Sequence, residues 1–247
     1  MRSSNPALSD RVLDGLSIGG EQSSTMTVNG MAVKTAVALL GVFLTAGIAW
    51  IQFSQGAAMG PYIFGGMIIG LIAAIATMFR PQWAAFTTPI YALAEGAALG
   101  GLSAMIAASF PDVSIVPQAC ALTFGTLFVM LICYQTGFIR VTETLRSCIV
   151  AATGAIALLY LVSFVLGIFW QPIGFIHSSG PIGIGFSLFV VGLAAFNLLL
   201  DFDLVDRLVA QRAPKYMEWY AAFALLTTLV WLYLEILRLL SKLQSRD

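Results

Sequence analysis

The segment "NLLLDFDLVDRL", residues 197–208, gathers three aspartates at the end of a long apolar run. Carboxylates offer the oxygen ligands that calcium prefers, and they also bind and release protons. On a helix, Asp203 and Asp206 share one face, whereas Asp201 lies about 200° away from Asp203. The three aspartates therefore cannot form one cluster by sequence proximity alone, and we expect Asp201 and Asp206 to be solvated at a helix exit.

Glu95, in "ALAEGAALGG", stands near the middle of another apolar run. A charged side chain at the centre of a membrane helix costs about 2.5 to 3.5 kcal/mol on insertion scales. Burial also favours the neutral form of a carboxyl group. One interpretation is a protonated glutamate that hydrogen-bonds a neighbouring helix. We favour a place in an ion or proton pathway, because intramembrane ionisable residues usually mark function.

Two further glutamates belong to the last apolar run. Glu218 begins it, and Glu235 lies in its outer third with Arg238 three residues further on as a partner. For both glutamates, the sequence leaves open whether the side chain forms a structural salt bridge or has a functional role.

The elements that carry these residues must be membrane helices. Of the 247 residues, 59% are hydrophobic and only 10% are charged, whereas soluble chains carry about a quarter charged residues. Runs of about 20 apolar residues span a hydrocarbon core about 30 Å thick. The sequence predicts an all-α membrane protein with seven spans, Met31–Ile51, Tyr62–Phe79, Ala84–Ala108, Gln118–Phe138, Cys148–Phe169, Ile182–Leu200 and Trp219–Leu240.

Around this transmembrane domain, residues 31–240, we expect a cytoplasmic tail at 1–30 and a short tail at 241–247. The connections 52–61, 109–117 and 170–181 contain no lysine or arginine, which predicts a cytoplasmic N-terminus by the positive-inside rule. Seven full spans then place the C-terminus outside, against that rule, while a last helix that enters and returns would keep it inside. We favour seven spans, and the side of the C-terminus stays open.

Glycines at GxxxG spacing indicate close helix packing, with a dimer interface as the alternative. They are Gly66 and Gly70 in the second span, and Gly96 and Gly100 in the third.

Several enzyme classes lack their residues in this chain. There is a single histidine, His177, too few for a multi-histidine metallohydrolase. Cys120, Cys133 and Cys148 have no CxxC spacing. Neither a G-x-S-x-G motif nor a nucleotide-binding loop is present, and a net charge of zero gives no basic surface for nucleic acid. We expect no enzymatic activity, no cofactor, no bound metal and no nucleic-acid partner.

The segments "NLLLDFDLVD" and "MEWYAAFALLTTLVWLYLEILRLL" resemble the last two helices of the Bax inhibitor 1 family, also called the transmembrane BAX inhibitor motif family. The stretches "SNPALSDR", "MTVNGMAVKTAV" and "AEGAALGG" are similar to its bacterial branch. The resemblance implies a seven-helix bundle in the bacterial inner membrane, with the last helix central and enclosed by the other six. It also implies a pH-sensitive calcium leak, gated by two aspartates on the sixth and seventh helices and latched by an arginine at the end of the second.

On this resemblance, Asp203 takes the position of the first aspartate and Arg80 that of the latch arginine. The second aspartate is missing, since its position falls on Thr227 or Thr228. Glu218 and Glu95 are the alternatives that could replace it.

The leading hypothesis is a cation leak channel or transporter in which Asp203, Glu218, Glu95 and Glu235 form a sparse acidic ladder. Calcium takes six to eight oxygen ligands, more than this ladder offers, so weak passage is favoured over storage. The alternative is a non-conducting regulator that binds other membrane proteins, such as a protease or a cell-death or stress factor. The oligomeric state stays open.

Overall fold

The computed structural model describes residues 25–169, 174 and 178–245. Within them lie seven helices that are long and apolar enough to cross a membrane, which confirms the all-α, seven-helix prediction. Their bounds are α1 Val28–Ser54, α2 Gly60–Phe79, α3 Ala84–Ser109, α4 Ile115–Gln135, α5 Glu143–Phe169, α6 Pro181–Ala210 and α7 Met217–Gln244. A single turn of 3-10 helix, Pro81–Trp83, leads from α2 into α3.

The helices extend beyond several predicted bounds. Helix α6 continues ten residues past Leu200, so the acidic segment is part of the helix and does not follow it. Helix α7 runs to Gln244, through most of the predicted C-terminal tail. Helix α1 begins at Val28, where the Thr27 hydroxyl accepts a hydrogen bond from the Gly30 amide at 2.9 Å, as an N-cap does. Most of the predicted N-terminal tail, residues 1–24, lies outside the described residues.

Helix α7 is the centre of the bundle. It packs against α1, α3, α4 and α6, and 56% of its spanning window is buried, compared with 17% for α1. Leu226 and Leu232 are fully buried, and Phe223 meets the Tyr91 ring of α3 edge to face at 5.0 Å. The prediction of a central last helix agrees with this packing.

Glycines bring α1, α2 and α3 close together. A Cβ atom added at Gly66 of α2 would lie 2.9 Å from the Cβ atom of Ala98 on α3. One added at Gly100 of α3 would lie 2.5 Å from the Ala46 carbonyl oxygen of α1. Real Cβ atoms do not approach so closely, so the GxxxG residues serve helix packing inside the chain.

The bundle has two ends. Side-chain contacts join the starts of α1, α5 and α7 and the ends of α4 and α6 at one end, which we call the charged end. At the opposite end, the last turns of α7 contact α5 and the start of α6.

Candidate functional site

Asp201 is the carboxylate that sequence reasoning placed wrongly. We expected it to be solvated at a helix exit, yet its Oδ2 atom is buried and has no hydrogen-bond partner among the described residues. The residue as a whole is half-buried. Helix α6 continues to Ala210, so Asp201 stays inside the bundle, next to the buried Phe202.

A signal for this burial was present in the sequence. Asp201 follows Leu198 by three residues and precedes Val205 by four, which puts all three on one helical face. Val190 and Ala194 continue that face, and these four apolar residues are all at most 5% exposed. The position of Asp201 on this apolar face predicts a buried side chain, whereas its position at the end of the apolar run predicts a solvated one.

Helix α7 presents two threonines to two different neighbours. The Thr228 hydroxyl donates to the Ala224 carbonyl oxygen at 3.3 Å, and its side chain lies near the Asp201 carboxyl group. The adjacent Thr227 lies within hydrogen-bonding reach of Tyr91 on α3, and its hydroxyl also donates to the Phe223 carbonyl oxygen at 2.9 Å. Of the two positions predicted for the missing aspartate, Thr228 is therefore the one that faces a carboxylate of α6.

Asp203 binds arginines other than the predicted one. Arg146 of α5 donates to its Oδ2 atom at 2.6 Å, and Arg207 donates to the same atom from one turn along α6. The expected pairing with Arg80 is not formed: Arg80 is exposed and has no ion pair among the described residues. Because α2 packs against α3 whereas α5 packs against α6, the start of α5 is the neighbour that can reach Asp203.

Asp206 is exposed, as predicted, and accepts a hydrogen bond from the Tyr134 hydroxyl of α4 at 2.6 Å. Asp203 and Asp206 both line a cavity of about 760 Å³ at the charged end. In the part of the chain that the structure describes, no three histidine, cysteine, aspartate or glutamate side chains come together as a metal site.

Glu218 is a buried glutamate that bonds residues at the start of α1. Its side chain is 1% exposed and forms an ion pair with Lys34 of α1. The Thr27 amide and hydroxyl donate to its Oε1 atom at 3.0 and 3.2 Å. The chain just before α1 is held nearby, since the Met26 amide donates to the Ala213 carbonyl oxygen at 2.8 Å. Glu218 thus fixes the start of α1 to the start of α7, and the salt-bridge interpretation fits it.

Glu95 lies at the contact between α2 and α3. It is half-buried, and a Cβ atom added at Gly70 of α2 would lie 2.9 Å from its Oε1 atom. The glycine therefore makes room for the carboxyl group. No hydrogen bond to this carboxyl group is formed among the described residues, and Tyr91 lies four residues before it on the same helix.

Glu235 belongs to a bonded cluster at the opposite end. It is 2% exposed, accepts from the Tyr160 hydroxyl of α5 at 2.9 Å, and pairs with Arg238 at 3.0 Å, as its spacing predicted. Nearby, the buried Lys242 donates to the Ser187 hydroxyl and the Gly183 carbonyl oxygen of α6 at 2.8 and 3.0 Å. The sequence did not predict these contacts of Tyr160 and Lys242, because each residue bonds to a helix that is distant from it in the chain.

Comparison with protein families gives one match, to the Bax inhibitor 1 like family, over residues 5–245. Comparison with curated proteins and with solved structures gives no match. The family match spans nearly the whole chain, including all seven helices and the Asp201 and Asp203 positions. This chain therefore belongs to the Bax inhibitor 1 like family.

Proposed function

We propose that the protein is a pH-sensitive cation leak channel or transporter, with calcium as its ion and Asp201 as its exchanging carboxylate. One observation carries the proposal: the Asp201 Oδ2 atom is buried beside the central helix and has no hydrogen-bond partner in the part of the chain that the structure describes. A buried charge without a partner costs free energy. Binding either a proton or a cation would relieve that cost, so the two would compete for the same oxygen atoms.

A layer of polar groups extends from Asp201 across α7. Thr228 and Thr227 are adjacent residues on that helix, one beside Asp201 and the other beside Tyr91, whose neighbour in turn is Glu95. This layer supplies carboxylate and hydroxyl oxygens within the apolar bundle. Calcium takes six to eight oxygen ligands, more than the layer holds, and this supports weak passage over tight binding.

In this proposal, Asp203, Glu218 and Glu235 have structural roles. Asp203, clamped by Arg146 and Arg207, positions the end of α6 that carries Asp201. Glu218 and Glu235 are held in ion pairs at the two ends of the bundle. Arg80 forms no ion pair with Asp203 among the described residues, so the proposal gives it no part as a latch.

The proposed location is the cell membrane, with the charged end in the cytoplasm. Between α2 and α7, the connections at that end contain Arg80, Arg140, Arg212 and Lys215, and the adjoining helix turns contain Arg146 and Arg207; the connections at the opposite end contain no arginine or lysine. This asymmetry supports a cytoplasmic N-terminus, and the seventh full helix then takes the C-terminus to the other side. We propose neither an enzymatic activity nor a resident cofactor.

Reconstitution of the purified full chain into liposomes that enclose a calcium-sensitive dye tests the function. We expect external calcium to raise the dye signal above that of protein-free liposomes. Liposomes that contain a refolded, unrelated seven-helix protein control for leaks caused by insertion. Calcium entry no faster than in these controls would reject the channel and favour the alternative, a non-conducting regulator that binds other membrane proteins.

A further inference from the structure

Helices α1 and α4 face each other along most of their lengths and yet make few contacts with each other. Each packs against α7 instead, so a slot remains between them with α7 as its floor. On α4, the residues that face the slot recur every three or four positions: Val116, Cys120, Thr123, Leu127, Leu131 and Tyr134. We call this space the α1/α4 slot.

The half of the slot towards the opposite end is an apolar cavity of about 280 Å³. Its polar wall groups Ser103 and Tyr233 bond each other at 2.6 Å, so they need no partner from the cavity. The rings of Phe43 and Phe124 stack across it at 6.0 Å, and both side chains are at least 36% exposed on the membrane-facing surface. The cavity therefore borders on the lipid, with two aromatic rings at its opening.

The half of the slot at the charged end is the larger cavity of about 760 Å³. Leu39 of α1 lines both cavities, so the two cavities adjoin at this residue. Charged groups of both signs line this half. Arg140 has no ion pair among the described residues, and Asp206 accepts one hydrogen bond, from Tyr134.

We propose that the α1/α4 slot binds one membrane phospholipid whose head group carries an amine. An acyl chain would occupy the apolar cavity, because an empty apolar space forfeits dispersion contacts that a hydrocarbon chain restores. Arg140 would bind the phosphate, for which a guanidinium is well suited. Asp206 would accept from the ammonium group, since a carboxylate keeps several acceptor sites after one hydrogen bond.

The slot is apolar in one half and lined by charged residues in the other, so it favours an amphiphile. A purely apolar molecule would occupy the apolar cavity alone, and a soluble ion would occupy the charged half alone. Only a lipid matches both halves at once, with its head group at the charged end. The lipid site goes beyond the proposed ion leak. Because lipid binding is measured without any ion flux, an experiment can reject the lipid site and leave the ion leak standing, or the reverse.

Two glycine variants test the apolar half. Gly47 lines the cavity, and a Cβ atom added there meets no described residue within 4 Å, so Gly47→Phe would fill the cavity without a collision with the described backbone. Gly125 on α4 has equally open surroundings but does not line it, which makes Gly125→Phe the matched control. Delipidated full-length protein is incubated with phosphatidylethanolamine, and native mass spectrometry counts the bound lipid.

We expect wild type and Gly125→Phe to retain one lipid, and Gly47→Phe to retain none under the same conditions. Equal retention by the two glycine variants would overturn the proposal. Size-exclusion profiles in detergent verify that both variants are folded.

The head group is tested with two exposed-residue variants that leave the bundle core intact. Arg140→Gln and Asp206→Asn should each weaken phosphatidylethanolamine binding about tenfold, the loss expected for one charge-assisted hydrogen bond. Phosphatidylglycerol, which has the phosphate but no amine, should bind wild type about as weakly as phosphatidylethanolamine binds Asp206→Asn. Equal binding of the two lipids by wild type would overturn the assignment of an amine-bearing lipid.

Discussion

The guanidinium of Arg146 on α5 lies 2.6 Å from the Asp203 carboxylate on α6. Both side chains are mostly buried, 22% and 18% exposed. Further from the charged end, the two helices contact each other through a small apolar cluster that includes Ile149, Ile156 and Val190. Because α5 packs chiefly against α6, the Arg146–Asp203 pair is a main attachment of α5 to the bundle.

Replacing Arg146 tests that attachment. Arg146→Gln leaves Asp203 with Arg207 alone, so the expected loss of stability lies between the roughly 1 kcal/mol of exposed pairs and the roughly 3 kcal/mol of buried ones. Thermal unfolding in detergent measures it. Glu143→Gln is the control, since Glu143 also pairs with Arg146 but its side chain is 83% exposed. If both variants unfold at the same temperature, the pair does not hold α5 in place.

Glu218→Gln should destabilise the protein by about 3 kcal/mol or more, as breaking a buried ion pair does. The variant leaves the Lys34 ammonium without its counter-charge at the junction of α1 and α7. The double variant Lys34→Met with Glu218→Gln removes both charges and should recover part of the loss, which a double-mutant cycle of unfolding free energies would measure. Strictly additive losses would show that the two residues act independently.

Gly100→Val should weaken the packing of α3 against α1. Its added Cβ atom would fall 2.5 Å from the Ala46 carbonyl oxygen, a backbone atom that cannot move aside alone. Overpacking of this kind costs about 1 to 3 kcal/mol. Gly125→Val is the matched comparison, because it adds the same atoms where a Cβ atom would have no described residue within 4 Å. Equal unfolding temperatures for the two variants would contradict close packing at Gly100.

Glu95→Gln should preserve folding while it alters transport. No hydrogen bond to the carboxyl group is formed among the described residues, and Gly70 leaves space beside it, so the isosteric amide fits. Calcium flux into liposomes and its change with pH are compared with wild type, at matched unfolding temperatures. If flux and its pH dependence are both unchanged, Glu95 is a packing residue and the polar layer ends at Tyr91.

The sequence predicted the number of helices and the central place of α7, because long apolar runs and the family resemblance constrain both. It predicted the Glu235–Arg238 pair, since residues three apart are neighbours on any helix. It could not place Asp203 against Arg146, which is 57 residues away in the chain. That contact depends on which helices are neighbours, and apolar periodicity does not specify neighbours.

The error at Asp201 had a different origin. The apolar run ends at Leu200, so the aspartate seemed to mark the membrane boundary, whereas the helix and its buried face continue to Val205 and beyond. Hydropathy locates the hydrocarbon core, and the helical stripe locates the inside of the bundle. Hydropathy and the apolar face of the helix give different predictions at the end of a helix that extends beyond the membrane. At such an end, the apolar face predicts burial better.

On the proposed function, a proton and a cation compete for the Asp201 carboxylate in the pathway. Calcium flux into liposomes, for wild type, Asp201→Asn and Asp203→Asn, is measured at about pH 6 and about pH 8, a window in which ordinary aspartates with a pKa of about 3.9 stay ionised. His177→Gln is included because an ordinary histidine, with a pKa of about 6.5, titrates in that window. We expect the flux to differ between the two pH values for wild type, Asp203→Asn and His177→Gln, and we expect Asp201→Asn alone to lose the difference. A pH dependence in Asp201→Asn equal to that of wild type would contradict the proposed competition.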